Sequence, residues 1–160
     1  MKAATHAEVD IHIDASPETV YRLVSDITRM GEWSPETQRC QWIDDATGPE
    51  VGARFKAANR RGIVRWSNKP EVIAAEPGQE FAFRRTTVGS VVVWRYRMEP
   101  ENSGTRLAES YEVVKPVPAF VSWIFNAAMR VRDRDADLTR GMRTTVERIR
   151  DAAEGEGSTG

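Results

Sequence analysis

This chain has little with which to do covalent or metal chemistry. Cys40 is the single cysteine in 160 residues, so an internal disulfide is impossible and a cysteine-based zinc site is not expected. There are two histidines. His6 lies near the N-terminus, and His12 sits between Asp10 and Asp14 on what reads as a solvated strand face rather than a metal site. No serine stands in a nucleophile elbow, and neither a glycine-rich phosphate loop nor a dinucleotide fingerprint occurs. No metal and no cofactor is expected. No apolar run approaches the ~18 residues of a membrane-crossing helix, and MKAATHAEVD lacks the apolar centre of a signal peptide. The expected setting is the cytoplasm, without integral membrane association. Neither sign of charge prevails, since 23 basic residues face 24 acidic ones. That balance argues against a nucleic-acid partner.

What is present is a pattern of alternation. At this length a single domain buries roughly 70% of its unfolded surface, and 40% of the residues are hydrophobic. In EVDIHID, Val9, Ile11 and Ile13 share one strand face and the polar residues the other. Ser16-Pro17 then supplies a helix cap and a first-turn proline, followed by Val20, Leu23, Val24 and Ile27 at helical spacing. A second short helix is expected from Thr28 to about Trp33, ended by Ser34-Pro35. Further strands are expected in TQRCQWID, ARFKAANRR, IVRWSNKPEVIAA, EFAFRRT, VVVWRYRM and TRLAESYEVV, with a bulge, bend or edge at Pro70. Gly48, Pro49 and Gly52 mark a turn or pocket lid, and Asn102-Ser103-Gly104 a hairpin loop. Cys40, on the face of Trp42, reads as a small buried hydrophobe.

From Pro118 to about Ala153 the spacing predicts one long helix. Phe120, Ile124, Ala127, Val131, Leu138, Met142 and Ile149 form its apolar stripe. The run containing Arg130, Arg132, Arg134, Arg140 and Arg143 with Asp133, Asp135 and Asp137 reads as a solvated face of it. Seven strands joined by short turns, two helices after the first and one long helix at the end make an α+β pattern with antiparallel pairing. The boundaries are a flexible N-terminus over 1–7, one domain over 8–150 and a disordered tail over 151–160, which reads DAAEGEGSTG.

The segments SPETVYRLVSD, ITRMGEWSPE, PEVIAAEPGQEFAF and VVVWRYRMEPENSGTRLAESYEV resemble the START-like helix-grip superfamily, most closely its bacterial polyketide cyclase/dehydratase-like (SRPBCC) branch. GEWSPE, the Pro-Gly before an aromatic-x-aromatic pair, and the W-x-Y strand are the most specific pieces. The resemblance implies a curved seven-stranded antiparallel sheet wrapped around the C-terminal helix, enclosing a cavity for a hydrophobic ligand. It transfers no catalytic motif, because fold does not settle function.

Within that frame Trp66, Phe81, Phe83, Trp94 and Tyr96 fall on the expected concave face, with Tyr111, Trp33 and Phe55 as further ligand-binding candidates. The polar residues in phase with them are Arg85 and Glu109. An Arg85–Tyr96–Glu109 cluster inside the cavity is one reading, and outward-twisting strand ends that carry both charges to solvent is the other. In the first, Glu109 is a candidate base for polyketide ring closure, and Arg85 and Tyr96 polarise carbonyls. Three functions stay open. They are binding or carriage of a lipid or polyketide-like molecule, cyclase/dehydratase chemistry on it, and a protein-interaction module, which needs no cavity above ~300 Å³.

Overall fold

A computed structural model describes residues 6–87, 89–128 and 134–157. Strand β1 (His6–Ile13) opens the chain. Helix α1 (Pro17–Ser25), a 3-10 turn (Ile27–Arg29) and the four-residue α2 (Met30–Trp33) follow. The Ser16 hydroxyl accepts the Thr19 N–H at 3.2 Å, so the Ser-Pro start of α1 caps the helix as its chemistry dictates. Val20, Tyr21, Leu23 and Val24 go into the core.

Seven strands form a curled antiparallel sheet. In chain order they are β1, β2 (Thr37–Ile43), β3 (Arg54–Arg61), β5 (Glu71–Glu76), β6 (Glu80–Thr87), β7 (Ser90–Glu101) and β8 (Gly104–Lys115). Their spatial order is β1-β8-β7-β6-β5-β3-β2, and β4 (Val64–Asn68) pairs off this path with β3. The single strand expected over 63–75 is therefore two. Proline at 70 has no N–H to give the ladder, but its carbonyl accepts from Phe55 at 3.1 Å, so β5 resumes beside β3 immediately after the break. Asn102 and Ser103 turn β7 into β8 with positive φ at both positions, the two-residue geometry that matches strand twist.

The helix expected over 118–153 is described in two parts, α3 (Ala119–Ala128) and α4 (Arg134–Gly157), and Arg130, Val131, Arg132 and Asp133 lie outside the described residues. Helix α4 packs on β1, β8, α1 and α2 through Met142, Val146, Ile149 and Ala153. It runs through Gly157, so much of the tail expected from 151 is helix. Ala153 is fully buried, and Glu156 binds Arg22 and Arg29, which anchors the last turns. The stripe also divides. Leu138, Met142 and Ile149 face inward, whereas Phe120, Ile124 and Ala127 on α3 are exposed. Helical spacing marks an apolar face but does not say what covers it.

The close seat of α2 on β2 depends on Gly31. A Cβ there would lie 2.5 Å from the Gln38 carbonyl oxygen and 3.1 Å from its carbon, both backbone atoms that cannot rotate aside. Gly31→Ala is expected to destabilise the fold by about 1–3 kcal/mol, the usual range for overpacking. Urea unfolding measures it, and an unchanged midpoint would contradict this seating.

Candidate functional site

Between the concave face of the sheet and α4 lies a cleft. Its enclosed space is about 100 Å³, and with its open mouth it holds about 790 Å³. Aromatics from four strands form one wall: Phe55 on β3, Trp66 on β4, Phe83 on β6, and Trp94 with Tyr96 on β7. The wall is ordered by edge contacts. Phe55 meets Phe83 with ring centroids 5.3 Å apart at 80°, and Trp42 at 5.8 Å, also at 80°, the T-shaped arrangement that ring quadrupoles favour. Helix α4 supplies the opposite wall through Leu138, Gly141, Met142 and Thr145.

Seven of the ten candidate ligand residues line this cleft: Phe55, Trp66, Phe83, Arg85, Trp94, Tyr96 and Glu109. The other three are buried beside it. Phe81 tilts against Phe83 at 6.1 Å, and Tyr111 lies under Trp94 at 5.4 Å. Trp33 sits beneath α4, where its carbonyl accepts from Arg148 and the Arg29 guanidinium lies 5.2 Å over its ring.

Tyr96 and Glu109 are register partners across β7 and β8, and the Tyr96 hydroxyl donates to Glu109 Oε1 at 2.9 Å. Glu109 is only 3% exposed, so its charge does not reach solvent. Its second oxygen, Oε2, is buried without a hydrogen bond among the described residues. Burial pushes the Glu109 carboxyl up to about 8, against a smaller downward pull from the Tyr96 hydrogen bond. Burial, helped by the neighbouring Glu109, holds the Tyr96 phenol well above its usual range. The pair is therefore a neutral acid receiving a neutral donor at neutral pH. Arg85 shares the wall, but its register partner is Val92, four residues from Tyr96, or ~13 Å along a strand. Tyr96 and Glu109 form the hydrogen-bonded pair, and Arg85 lines the same cleft.

A second polar group stands at the cleft and was not anticipated. Asp137, placed by its sequence on a solvated face, is 6% exposed and lines the cleft. It forms an ion pair with Arg61 of β3, and Arg140 approaches at 3.6 Å. Glu36 lies 4.0 Å from Arg61, and the Thr37 hydroxyl donates to Asn59 Oδ1 at 3.0 Å. A signal was available: Asp137, Gly141 and Thr145 recur every four residues, beside Leu138 and Met142 on the inward stripe.

The remaining candidates fall elsewhere. His12 holds Glu101 at 2.8 Å and Asp14 at 3.0 Å, and those bonds raise its pKa, the Glu101 bond most. Cys40 is buried with its thiol pushed up to about 12 by burial, so it is no nucleophile at neutral pH. Gly48 and Pro49 border a second hollow of about 530 Å³ with Tyr21, Arg22, Asp26 and Trp42. That hollow is the more open of the two and contains no buried charged group, so the first cleft carries the chemical argument despite its smaller enclosed space.

The comparisons with known proteins agree with this architecture. The family model described as polyketide cyclase / dehydrase and lipid transport matches residues 4–154. A polyketide-cyclase-like protein of Corynebacterium glutamicum is 36% identical, with 98% of this chain and 95% of that one covered and a TM-score of 0.65. A START superfamily protein of Mycobacterium smegmatis is 14% identical over 95% and 99% of the two chains, with a TM-score of 0.67. The di-domain ARO/CYC protein of the steffimycin biosynthetic pathway is 11% identical, with a TM-score of 0.74 over 96% of this chain and 52% of that one. The last two likenesses bear on the fold alone. A search of curated proteins gave no match. Among the described residues, no helix is long and apolar enough to cross a membrane.

Proposed function

The chain belongs to the polyketide cyclase/dehydrase and lipid transport family, and we propose that its cleft binds a hydrophobic small molecule through a neutral oxygen. The observation that carries this reading is Glu109 Oε2, a buried polar atom in the cleft wall without a hydrogen bond among the described residues. Burial makes the ionised carboxylate costly, so the acid keeps its proton. With Oε1 taken by the Tyr96 hydroxyl, the proton belongs on Oε2, where it can be given to a carbonyl, enol or phenol oxygen. Ordinary cores leave few such groups unsatisfied, which argues against a cleft that serves only as packing.

Size bears on the choice among readings. The enclosed space of about 100 Å³ falls below the ~300 Å³ at which ligand sites commonly begin, as an interaction module would have it. The enclosed part is smaller than the cavity of about 150 Å³ that accepts benzene, so it suits a short acyl end or the edge of a ring. A longer ligand extends into the mouth, past Arg61 and Arg85.

Gly141 supplies the test. A Cβ there would meet only Pro35, at 3.9 Å, so Gly141→Leu extends a side chain into the cleft without a backbone clash. Titration with a hydroxyanthraquinone, followed by tryptophan quenching, is expected to show binding that Gly141→Leu weakens at least about tenfold, a ligand being excluded when its space is filled. Equal affinity in the two proteins would place the ligand elsewhere and sink the reading.

One observation favours a second reading, cyclase/dehydrase chemistry. A carboxyl pushed up to about 8 exchanges its proton near neutral pH, as a general acid or base must. Under that reading Glu109→Gln abolishes turnover of a β-polyketone while binding persists. Under binding alone there is no turnover to lose.

A further inference from the structure

We propose that α3 is an interfacial helix that lays Phe120, Trp123 and Ile124 into the headgroup layer of an anionic lipid membrane. These three side chains are 69%, 67% and 57% exposed. Their spacing of i, i+3 and i+4 puts them on one face of the helix, and Val114, just before it, is exposed as well. An aromatic and aliphatic patch of this kind marks an interaction surface.

The charge pattern selects the partner. From Val113 to Arg132 the sequence contains no Asp or Glu, and its three charges, Lys115, Arg130 and Arg132, are all basic. The chain as a whole has slightly more acids than bases, yet none of its acids falls in the stretch that contains the exposed apolar helix. An apolar helix face between basic flanks is the composition of helices that lie on anionic bilayers, where tryptophan and phenylalanine enter the interface and lysine and arginine meet the lipid charge. A second copy of the chain fits less well. Two aromatics and an isoleucine offer roughly 400 Å², about half of what each partner contributes to a stable protein interface. A membrane needs no shape complement and tolerates so small a patch. Helix α3 is also too short, at 10 residues, to span a bilayer, for which ~20 are required. It can lie on the surface but not cross.

The consequence for the cleft follows from chain connectivity. Five residues separate α3 from α4, and Asp137 and Leu138 in the first turns of α4 line the cleft. Docking of α3 would hold that end of α4 within a short chain length of the lipid.

The test is co-sedimentation of the whole protein with vesicles of phosphatidylcholine mixed with phosphatidylglycerol, against vesicles of phosphatidylcholine alone. The double variant Phe120→Asp/Trp123→Asp replaces exposed side chains, and its circular dichroism is expected to match that of the unaltered protein. Binding to the mixed vesicles is expected to exceed binding to phosphatidylcholine, to weaken as salt is raised, and to fall at least about tenfold in the double variant as apolar burial is lost. Lys115→Glu is expected to weaken it in the same direction. Absence of binding to either vesicle, or equal binding by the double variant, overturns the proposal. So does a concentration-dependent dimer that the double variant abolishes, which assigns the patch to a second copy of the chain.

Discussion

Glu109→Gln is expected to remove a large part of the protein's loss of stability as pH rises from about 5 to 8. The carboxyl is pushed up to about 8 in the folded chain and returns to ~4.3 when unfolded. Below about pH 4 both states carry the proton, and the group contributes no pH dependence. Between the two values the unfolded chain has released its proton while the folded chain still holds it, so the folded state binds more protons and stability falls as pH rises. The slope is about 1.4 kcal/mol per pH unit for one such group, on the order of 3–5 kcal/mol across the window. Above about 8 both states are ionised and the difference levels off. Glutamine keeps the shape and an oxygen for the Tyr96 hydroxyl but cannot ionise. The variant is therefore expected to match the parent near pH 5 and to exceed it by several kcal/mol at pH 9. His12, whose raised pKa gives a contribution of the same sign, is common to both proteins and cancels in the comparison. Denaturant unfolding over a pH series reads the difference directly. Parallel curves for parent and variant would mean that Glu109 is ionised in the folded protein and that the acid is not neutral.

Phe55→Ala is expected to destabilise the fold by about 3–5 kcal/mol, the range for deleting a buried phenyl ring. The ring is fully buried and stands between Trp42 and Phe83 in two edge-on contacts. It is also part of the cleft wall. The lost volume thus opens onto existing empty space, which the surrounding strands cannot readily collapse to fill, and the effect belongs at the upper end of the range. Enlarging the cleft also has a binding consequence. Benzene is expected to raise the unfolding midpoint of the variant more than that of the parent, since a ligand taken up only by the folded state stabilises it by mass action. A loss below ~1.5 kcal/mol, as for a single methylene, would mean that the site closes up and that the wall is softer than its aromatic contacts imply.

Much of this architecture is written in local chemistry. The Ser16-Pro17 start, the alternation in β1 and the hairpin at Asn102 each depend on neighbours in sequence and lie where they were expected, the loop closing over Asn102 and Ser103 with Gly104 already in β8. Glu109 was visible because it alternates in phase with Leu107 and Tyr111, which forces it to the same face as two buried residues. Asp137 was misread because the partner that allows its burial, Arg61, is 76 residues away and no local rule connects them. The break at Pro70 was anticipated as a disturbance but not as the end of one strand and the start of another. The exposure of Phe120 and Ile124 was hidden for a different reason: a stripe looks the same whether protein or something outside covers it. Arg85 lines the cleft in which its phase placed it, because phase along a strand fixes the face.

The central claim is that an acid is held neutral in the wall of a ligand-accepting cleft, and the ionisation of that one carboxyl tests it most directly. The side-chain carboxyl carbon of Glu109, followed by 13C NMR against pH in protein without added ligand, is predicted to titrate with a midpoint of about 8. A midpoint near ~4.3, the value of a solvated glutamate, would contradict the account.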